Sequence, residues 1–347
     1  MNKKILYIEF GTSHTEIIHS FCKALSPENH IYLIINEKSK SRIQSSDLIE
    51  KIDFVAENLL FEHVLKTIKI YQPDLILLNS AQGKLIRNLC MRLLFNQIPI
   101  VGIHHNPQNI YASFTQKIIH WKIKKYIVLA DFIKKFIKQK IPRIQIESFY
   151  PVYYPACEKV KLDEDLCYIS IPGVLENDRR DYLGLVDLVA QNHQTISPQV
   201  RFVCLGSALT HNGPEIVAKV KALGLQNRFI FFDHYIEDSV LLSYVQQSVA
   251  VMPLLHPGTR WFEQYFETKI SGAYSLAFAF KKKLLMHAIF SDKEEFSSRG
   301  VFYDPHDFAQ VINGLIDSLS VNSVDELAEI KFDLHFQKKK LQQFLLS

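Results

Sequence analysis

The segment Glu267-Thr268-Lys269-Ile270-Ser271-Gly272 sets an acid, two hydroxyls, a lysine and a glycine just before the apolar run Tyr274 to Phe280. Free N–H groups at a helix start, flanked by hydroxyls and a cation, bind anions. The run that follows is apolar almost all round, so a buried helix is expected. A helix start held by a buried helix is a rigid phosphate platform. A second group lies upstream. Gly173 ends a strand-length apolar run, and Arg179-Arg180 open the next helical stretch. Guanidinium forks match the oxygens of a diphosphate. The plainer reading is a solvated pair beside Asp178 and Asp181. Gly206-Ser207 ends the next strand-like run.

The first half offers two more candidates. Gly11, Thr12 and Ser13 follow the first apolar run, and such a turn lets a ligand approach the backbone. An ordinary capped turn fits the same residues. His104, His105 and Asn106 follow the run Pro99–Ile103 and precede Pro107. Strand alternation sends the two imidazoles to opposite sides, one toward a cleft and one toward a helix layer. Glu9 is an acid at a strand end, either in the cleft or an inward structural residue.

Several chemistries are excluded. Neither half shows G-x-G-x-x-G after its first strand, and no G-x-x-x-x-G-K-[ST] or G-x-S-x-G occurs. Asp163-Glu164-Asp165 spells D-x-D, but it lies between the halves rather than at a strand end, and reads as a solvated charge run. The five cysteines, Cys22, Cys90, Cys157, Cys167 and Cys204, are scattered. They imply buried free thiols in a reducing compartment. No cluster with metal-ligand spacing is seen, so no metal is expected.

These candidates need a scaffold that places strand ends together. The runs 5–10, 31–36, 52–55, 74–79, 99–105 and 126–130 alternate with helical patterns such as 83–96 and 113–125. Continuous apolar strands between helices indicate a parallel sheet covered on both faces. Residues 147–166, with two prolines and a charge run, form the linker. The pattern restarts at 167–173, 201–206, 228–233, 249–254 and 283–289. At 347 residues and 48% apolar, the chain fits two domains. The expected boundaries are 1–155, 156–323 and a C-terminal helix over 324–347 that returns to the first domain. Net charge is +9 over 1–155 and −5 over 156–347, which suits two units with different partners. No apolar stretch of about 18 residues could span a bilayer. The N-terminus lacks signal-peptide features, so a cytoplasmic protein is expected.

Order and spacing over most of 167–320 resemble the retaining GT-B glycosyltransferases of the glycosyl transferases group 1 type. PGVLENDRRDYLGLVDLV is similar to their G-R-x-x-x-x-K-G segment. FVCLGSA and LGLQNRFIFFDHYIEDSVLLSYVQQSVAVMPL follow in the family's order, and FETKISGAYSLAFAFKKKLL is similar to their E-x7-E segment. The first half matches through the glycine turn and the histidine after PIVGI. The resemblance implies two doubly wound Rossmann-like domains facing a cleft. It places Arg180 on a donor-phosphate contact, Glu267 on the donor-sugar hydroxyls, Lys269 to Gly272 on the backbone facing the diphosphate, and His105 near the transferred sugar. Gly11 and Thr12 fall near the phosphates and acceptor. Gly173, Gly206, Ser207, Tyr235, Thr268 and Ile270 join the implied donor-binding set. This sequence departs from the pattern in three places. Val174 stands where an arginine is expected, leaving Arg179 to substitute. Ser275 replaces the second glutamate, the usual ribose ligand. Lys282 replaces the proline of G-K-P.

The implied function is metal-independent transfer of a sugar from a nucleotide-diphosphate sugar to a glycan or lipid-linked acceptor, with retention. A nucleotide-sugar epimerase on the same fold is the alternative, and a non-catalytic nucleotide-sugar-binding protein is a third. Residues 115–145 carry nine Lys and Arg, from Lys117 to Arg143, against one acid, Asp131. Trp121, Phe132 and Phe136 interleave with them. No nucleic-acid-binding motif accompanies this run. An anionic membrane surface is the expected partner, against the plainer reading of solvated helix faces. Placement on the inner face of a membrane follows from that reading.

Overall fold

This computed structural model describes residues 2–43, 47–105, 108, 110, 113–317 and 330–346. The chain forms two compact units. The first comprises Met1–Pro155, Glu267–Lys269 and Lys331–Ser347, and the second Ala156–Phe266 and Ile270–Ile330.

The first unit runs β1 (Lys3–Glu9), α1 (Ile18–Leu25), β2 (Asn29–Asn36), β3 (Lys51–Val55), α2 (Glu57–Tyr71), β4 (Leu75–Leu78), α3 (Lys84–Arg92), β5 (Ile100–Ile103), α4 (Phe114–Lys122), β6 (Lys125–Val128), α5 (Asp131–Lys140) and β7 (Gln145–Ser148). Its sheet is wholly parallel, in the order β3-β2-β1-β4-β5-β6-β7. Ile5–Ile8 pair with Ile31–Ile34 on one side and Leu75–Leu78 on the other. All are buried, as a sheet covered on both faces requires. The winding reverses between β1 and β4. Ligands of open parallel sheets bind outside the strand carboxyl ends at such a reversal. Glu9 ends β1, and Asn79 follows β4.

The second unit runs β8 (Cys167–Pro172), α6 (Tyr182–Gln191), β9 (Val200–Ser207), α7 (Gly213–Ala222), β10 (Phe229–Phe232), α8 (Asp238–Gln247), β11 (Ala250–Val251), α9 (Phe262–Glu267), α10 (Gly272–Ala279), β12 (Lys283–His287), β13 (Gly300–Tyr303) and α11 (Phe308–Asp317). The last residue of α9, Glu267, groups with the first unit. The sheet order is β10-β9-β8-β11-β12-β13, again parallel. Its reversal lies between β8 and β11, so Gly173 and the segment after Val251 stand at the carboxyl edge. Buried Ile169, Ile171, Phe202, Cys204, Leu285 and Phe308 form the centre of its core.

The structure corrects several sequence expectations. Residues 147 and 148, read as linker, belong to β7, and Pro253 helps confine β11 to two residues. Strand β13 was not foreseen. The helix expected over 324–347 is seen as α12 (Leu334–Leu346), and 318–329 lie outside the described residues. Within the first unit α12 packs on α1. Gln337 Oε1 accepts from the Tyr150 N–H at 3.0 Å, and Lys338 pairs with Glu28 at 2.7 Å. Cys22, Cys90 and Cys204 are buried and Cys157 and Cys167 half-buried, all as free thiols. Asp163 makes a local turn, accepting from the Asp165 N–H at 3.0 Å, which fits a solvated charge run. Among the described residues no helix is long and apolar enough to cross a membrane.

Candidate functional site

Each unit gathers polar side chains at its own winding reversal. In the second unit, Gly173 adopts φ +117°, a region that L side chains rarely enter. The reason lies beside it: a Cβ at Gly173 would stand 2.5 Å from Arg180 Nη2 and 2.7 Å from Arg180 Cζ. The guanidinium therefore lies against the backbone at the end of β8. Its Nη1 reaches the Val174 carbonyl only at 3.5 Å, and its buried Nε has no hydrogen-bond partner. A second orphan sits in α10. Tyr274 is fully buried, its hydroxyl has no partner, and burial raises its pKa. Arg180 acts electrostatically on that hydroxyl. Buried polar groups are normally satisfied, so two such orphans in one region call for an explanation.

Around them the other candidates divide. Ser271 caps α10, its Oγ accepting from the Ala273 N–H at 3.4 Å. Gly272 is exposed, and a Cβ there would meet nothing within 4 Å. Gly272 thus opens onto free space, while Ala273 and Tyr274 after it are buried. Ser275, one turn on, is buried. Ile270 is half-buried, and Tyr235 is 63% exposed. Arg179 is drawn off to Glu176 at 3.0 Å, which leaves Arg180 as the arginine against Gly173. Gly206 is required by packing, since a Cβ would lie 2.4 Å from the Gly173 carbonyl oxygen. Ser207 closes a local turn by accepting from the Leu209 N–H at 3.3 Å. Of the segment that groups with the first unit, Glu267 is exposed, Thr268 buried and Lys269 half-buried.

A relay unforeseen from sequence supports the loop bearing Arg180. His256 Nδ1 donates to Asp181 Oδ2 at 2.7 Å, and its Nε2 meets the Tyr303 hydroxyl at 2.5 Å. Asp181 also caps α6 through the Gly184 N–H, and its own N–H donates to the Leu254 carbonyl. The His256 hydrogen bond holds the Asp181 carboxyl below its usual range. The only sequence signal was a histidine ahead of Pro257-Gly258, just past a strand.

In the first unit, Glu9 is the hub. Its Oε1 accepts from the Gly11 N–H at 2.5 Å, and its Oε2 from Asn79 Nδ2 at 2.7 Å and Ser80 Oγ at 2.8 Å. Burial raises the Glu9 pKa against the pull of those three bonds. Asn79 also accepts from the Tyr7 hydroxyl and donates to the His14 carbonyl. Its own carbonyl accepts from His105 Nε2 at 2.7 Å. Because a carbonyl only accepts, Nε2 carries the proton and Nδ1 is the basic nitrogen. The His105 ring stacks on His14 at 3.7 Å, 4° from parallel. Burial and the His14 charge hold its pKa well below the usual value. His104 points inward and is buried, its pKa pushed down to about 3 by burial. Asn106 lies outside the described residues.

Beside this network opens a cleft of about 640 Å³, lined by Glu9, Gly11, Ser13, His14, Ser80, Lys84, Thr115 and Gln116 among others. It is rich in hydroxyls and amides, which suits a polar, hydroxylated ligand. Gly11 is exposed, and a Cβ there would crowd Glu9 Oε1 at 3.1 Å. Thr12 is exposed, with its carbonyl accepting from Arg42. One grouping with metal-ligand geometry occurs among the described residues: Asp304, His306 and Asp307 place ligand atoms within 4.8 Å of one another. It was not seen from sequence. Asp307 Oδ1 there already accepts from the Asp304 N–H at 2.7 Å.

No family model matches the chain, and no curated protein does. Solved structures do. HepE of Anabaena in complex with UDP-glucose superposes with a TM-score of 0.68 at 14% identity, covering 99% of this chain and 100% of that one. A putative UDP-N-acetylglucosamine 2-epimerase from Listeria monocytogenes gives 0.63 at 11% identity, over 100% and 96%. A glycosyltransferase from Rickettsia africae gives 0.61 at 14%, over 99% and 98%. The chain is built on the GT-B fold, shared by glycosyltransferases and by these epimerases.

Proposed function

We propose that this protein is a glycosyltransferase, moving a sugar from a nucleotide-diphosphate sugar to a glycan or lipid-linked acceptor without a metal. The carrying observation is the unsatisfied Arg180–Tyr274 region near the exposed Gly272 that starts α10. A diphosphate there would satisfy the guanidinium and lie against the exposed Gly272 backbone at the start of α10. Cleavage of the sugar–phosphate bond builds negative charge on the leaving diphosphate. Arg180 would stabilise that charge where it develops; the family resemblance implies Lys269 as a further cation and Glu267 as the contact to the sugar hydroxyls. The first unit would take the acceptor in its hydroxyl-lined cleft, with His105 beside it. Retention at the anomeric carbon belongs to this reading. HepE, with UDP-glucose bound, supports it by fold.

A second reading has its own support. Glu9 and His105 are acid–base groups at the first unit's reversal, as an epimerase needs, and 2-epimerases share the fold. Thermal-shift screening against UDP-, GDP-, CMP- and dTDP-sugars finds the donor, since a ligand at 100 times its Kd stabilises by about 2.7 kcal/mol. The donor is then incubated without acceptor, with and without EDTA. A transferase slowly hydrolyses it, an epimerase interconverts the sugar, and a binding protein does neither. Loss of activity in EDTA with rescue by Mg²⁺ or Mn²⁺ would overturn the metal-free reading and turn attention to Asp304, His306 and Asp307.

A further inference from the structure

The expected membrane face, Lys117 to Arg143, spans two helices of different character. On α5, Ile133 and Ile137 are buried. Lys134 pairs with Glu147, to which Lys340 of α12 also reaches at 3.4 Å. Lys134 is thus tied into the unit's own packing, whereas Lys135, Lys138 and Lys140 are exposed.

A different face stands out. On α4, Phe114, Lys117 and Trp121 lie at i, i+3 and i+7 and are all exposed, while Gln116 and Ile119 behind them are buried. Phe114 is 77% and Trp121 65% exposed. On α3 and the turn after it, Leu85, Met91 and Leu94 are exposed, and Phe95 is 92% exposed. The two helices pack against each other. Lys122 Nζ donates to the Asn96 carbonyl, so the turn bearing Phe95 meets the end of the helix bearing Trp121. From Leu75 to Ala130 the chain has seven Lys and Arg and not one Asp or Glu. Lys84, Arg92, Lys117 and Lys124 among them are exposed.

We infer that this α3–α4 face seats the first unit on an anionic bilayer, with Phe95, Phe114 and Trp121 at headgroup depth. Aromatic rings partition to that depth, and each basic residue near an anionic surface strengthens binding about fivefold. The segment itself brings no carboxylate to such a surface, and the acid of α2 that shares a groove with Arg92, Glu62, lies beside Lys66 and Lys69. A second copy of the chain is a poor occupant, because two such faces bring like charges together. The inference rests on the transferase reading for its purpose, which is to bring the acceptor-binding unit to a lipid-linked sugar.

The test is co-sedimentation of the full chain with phosphatidylcholine vesicles, with and without phosphatidylglycerol. The wild type should bind only the anionic vesicles, and salt should weaken the binding. Arg92→Glu, Lys117→Glu and Lys124→Glu together should weaken it more than a hundredfold. Phe95→Ser with Phe114→Ser should weaken it about tenfold or more. A blue shift of tryptophan fluorescence on binding should vanish in Trp121→Phe. Lys221→Glu, an exposed position in the second unit, should change nothing. Equal binding to neutral vesicles, no binding at low salt, or unchanged binding by the triple Glu variant would overturn the proposal. So would a concentration-dependent dimer that the Phe→Ser variant abolishes, which would assign the face to a second copy. Donor-induced thermal shifts in the same preparations separate the two readings. A donor shift without vesicle binding sinks only the docking, and vesicle binding without a response to any donor sinks only the transferase.

Discussion

Replacing Gly173 by Ala should disable Arg180 without touching it. The new methyl would lie 2.5 to 2.9 Å from three atoms of the guanidinium. Contacts that short cannot persist, so either the arginine or the backbone must move. The backbone has its own difficulty, because φ +117° is costly for alanine, of order 1–3 kcal/mol. Two effects are expected. The fold loses about 1–3 kcal/mol of stability through backbone strain. Independently, donor turnover falls roughly tenfold to a thousandfold, as loss of one diphosphate contact costs about 1.4–4 kcal/mol.

A double-mutant cycle separates the two. Arg180→Ala removes the guanidinium and should itself slow turnover by the same order. In the Arg180→Ala background, Gly173→Ala should still lower Tm but should barely change donor turnover or donor Kd. The coupling should be on the order of 1–3 kcal/mol. Urea unfolding reads the stability arm, and hydrolysis of the donor found by thermal-shift screening reads the other. If Gly173→Ala slowed turnover by the same factor in both backgrounds, the glycine would act through the backbone alone, and its role as the seat of Arg180 would be wrong.

Three further outcomes follow from the buried polar groups. Burial raises the Glu9 pKa, so its contribution to stability is fully present below the unfolded carboxylate pKa and is lost as pH rises through the folded value. The stability difference between wild type and Glu9→Gln, measured by urea unfolding, should therefore shrink as pH rises above about 4.5; a difference flat with pH would contradict this. His105 is held well below its usual pKa, so NMR of its ring should show no titration between about pH 6 and 8; a midpoint near 6.5 would refute the half-buried, His14-stacked geometry. His256→Phe leaves Asp181 and the buried Tyr303 hydroxyl without their partner, and should cost about 2–4 kcal/mol in urea unfolding, with Tyr303→Phe costing about 1–2; a loss below about 0.5 kcal/mol would show that the relay is not formed.

The central strands were legible because a doubly covered sheet needs continuous apolar runs, and Ile5–Ile8 or Ile31–Ile35 can be little else. The strands that escaped lack that signal. β7 is Gln-Ile-Glu-Ser at a sheet edge, where half its residues need not be apolar. β13 begins on Gly300 directly after Arg299, at the other sheet's edge. Counting charges along the chain is likewise blind to pairing. The count cannot see that Lys134 is spent on Glu147, because that pair joins α5 to the neighbouring strand β7.

The candidate sites were legible as residue types and illegible as constellations, and the winding reversals explain the difference. Arg180, Ser271 and Gly272 are near helix starts, where local sequence alone predicts anion-binding groups. Gly206 looked like part of a ligand turn, yet its lack of a side chain is required by the Gly173 carbonyl 2.4 Å away, a contact created by pairing β8 with β9. The Glu9 network is harder still. Its carboxylate is held by Asn79 and Ser80, about seventy residues downstream, which reach it only because the sheet reverses and seats β4 beside β1. The same reversal in the second unit sets the segment after β11 beside the end of β8, so that Leu254 and His256 meet Asp181. In both units the groups that a sequence reading missed come from strands flanking the reversal. The reversal joins strands distant in the chain and leaves their carboxyl ends open to a ligand. A reading that first locates the reversal, then collects the residues just past the two flanking strands, would have placed Asn79 with Glu9 and His256 with Asp181 before any side chain was seen.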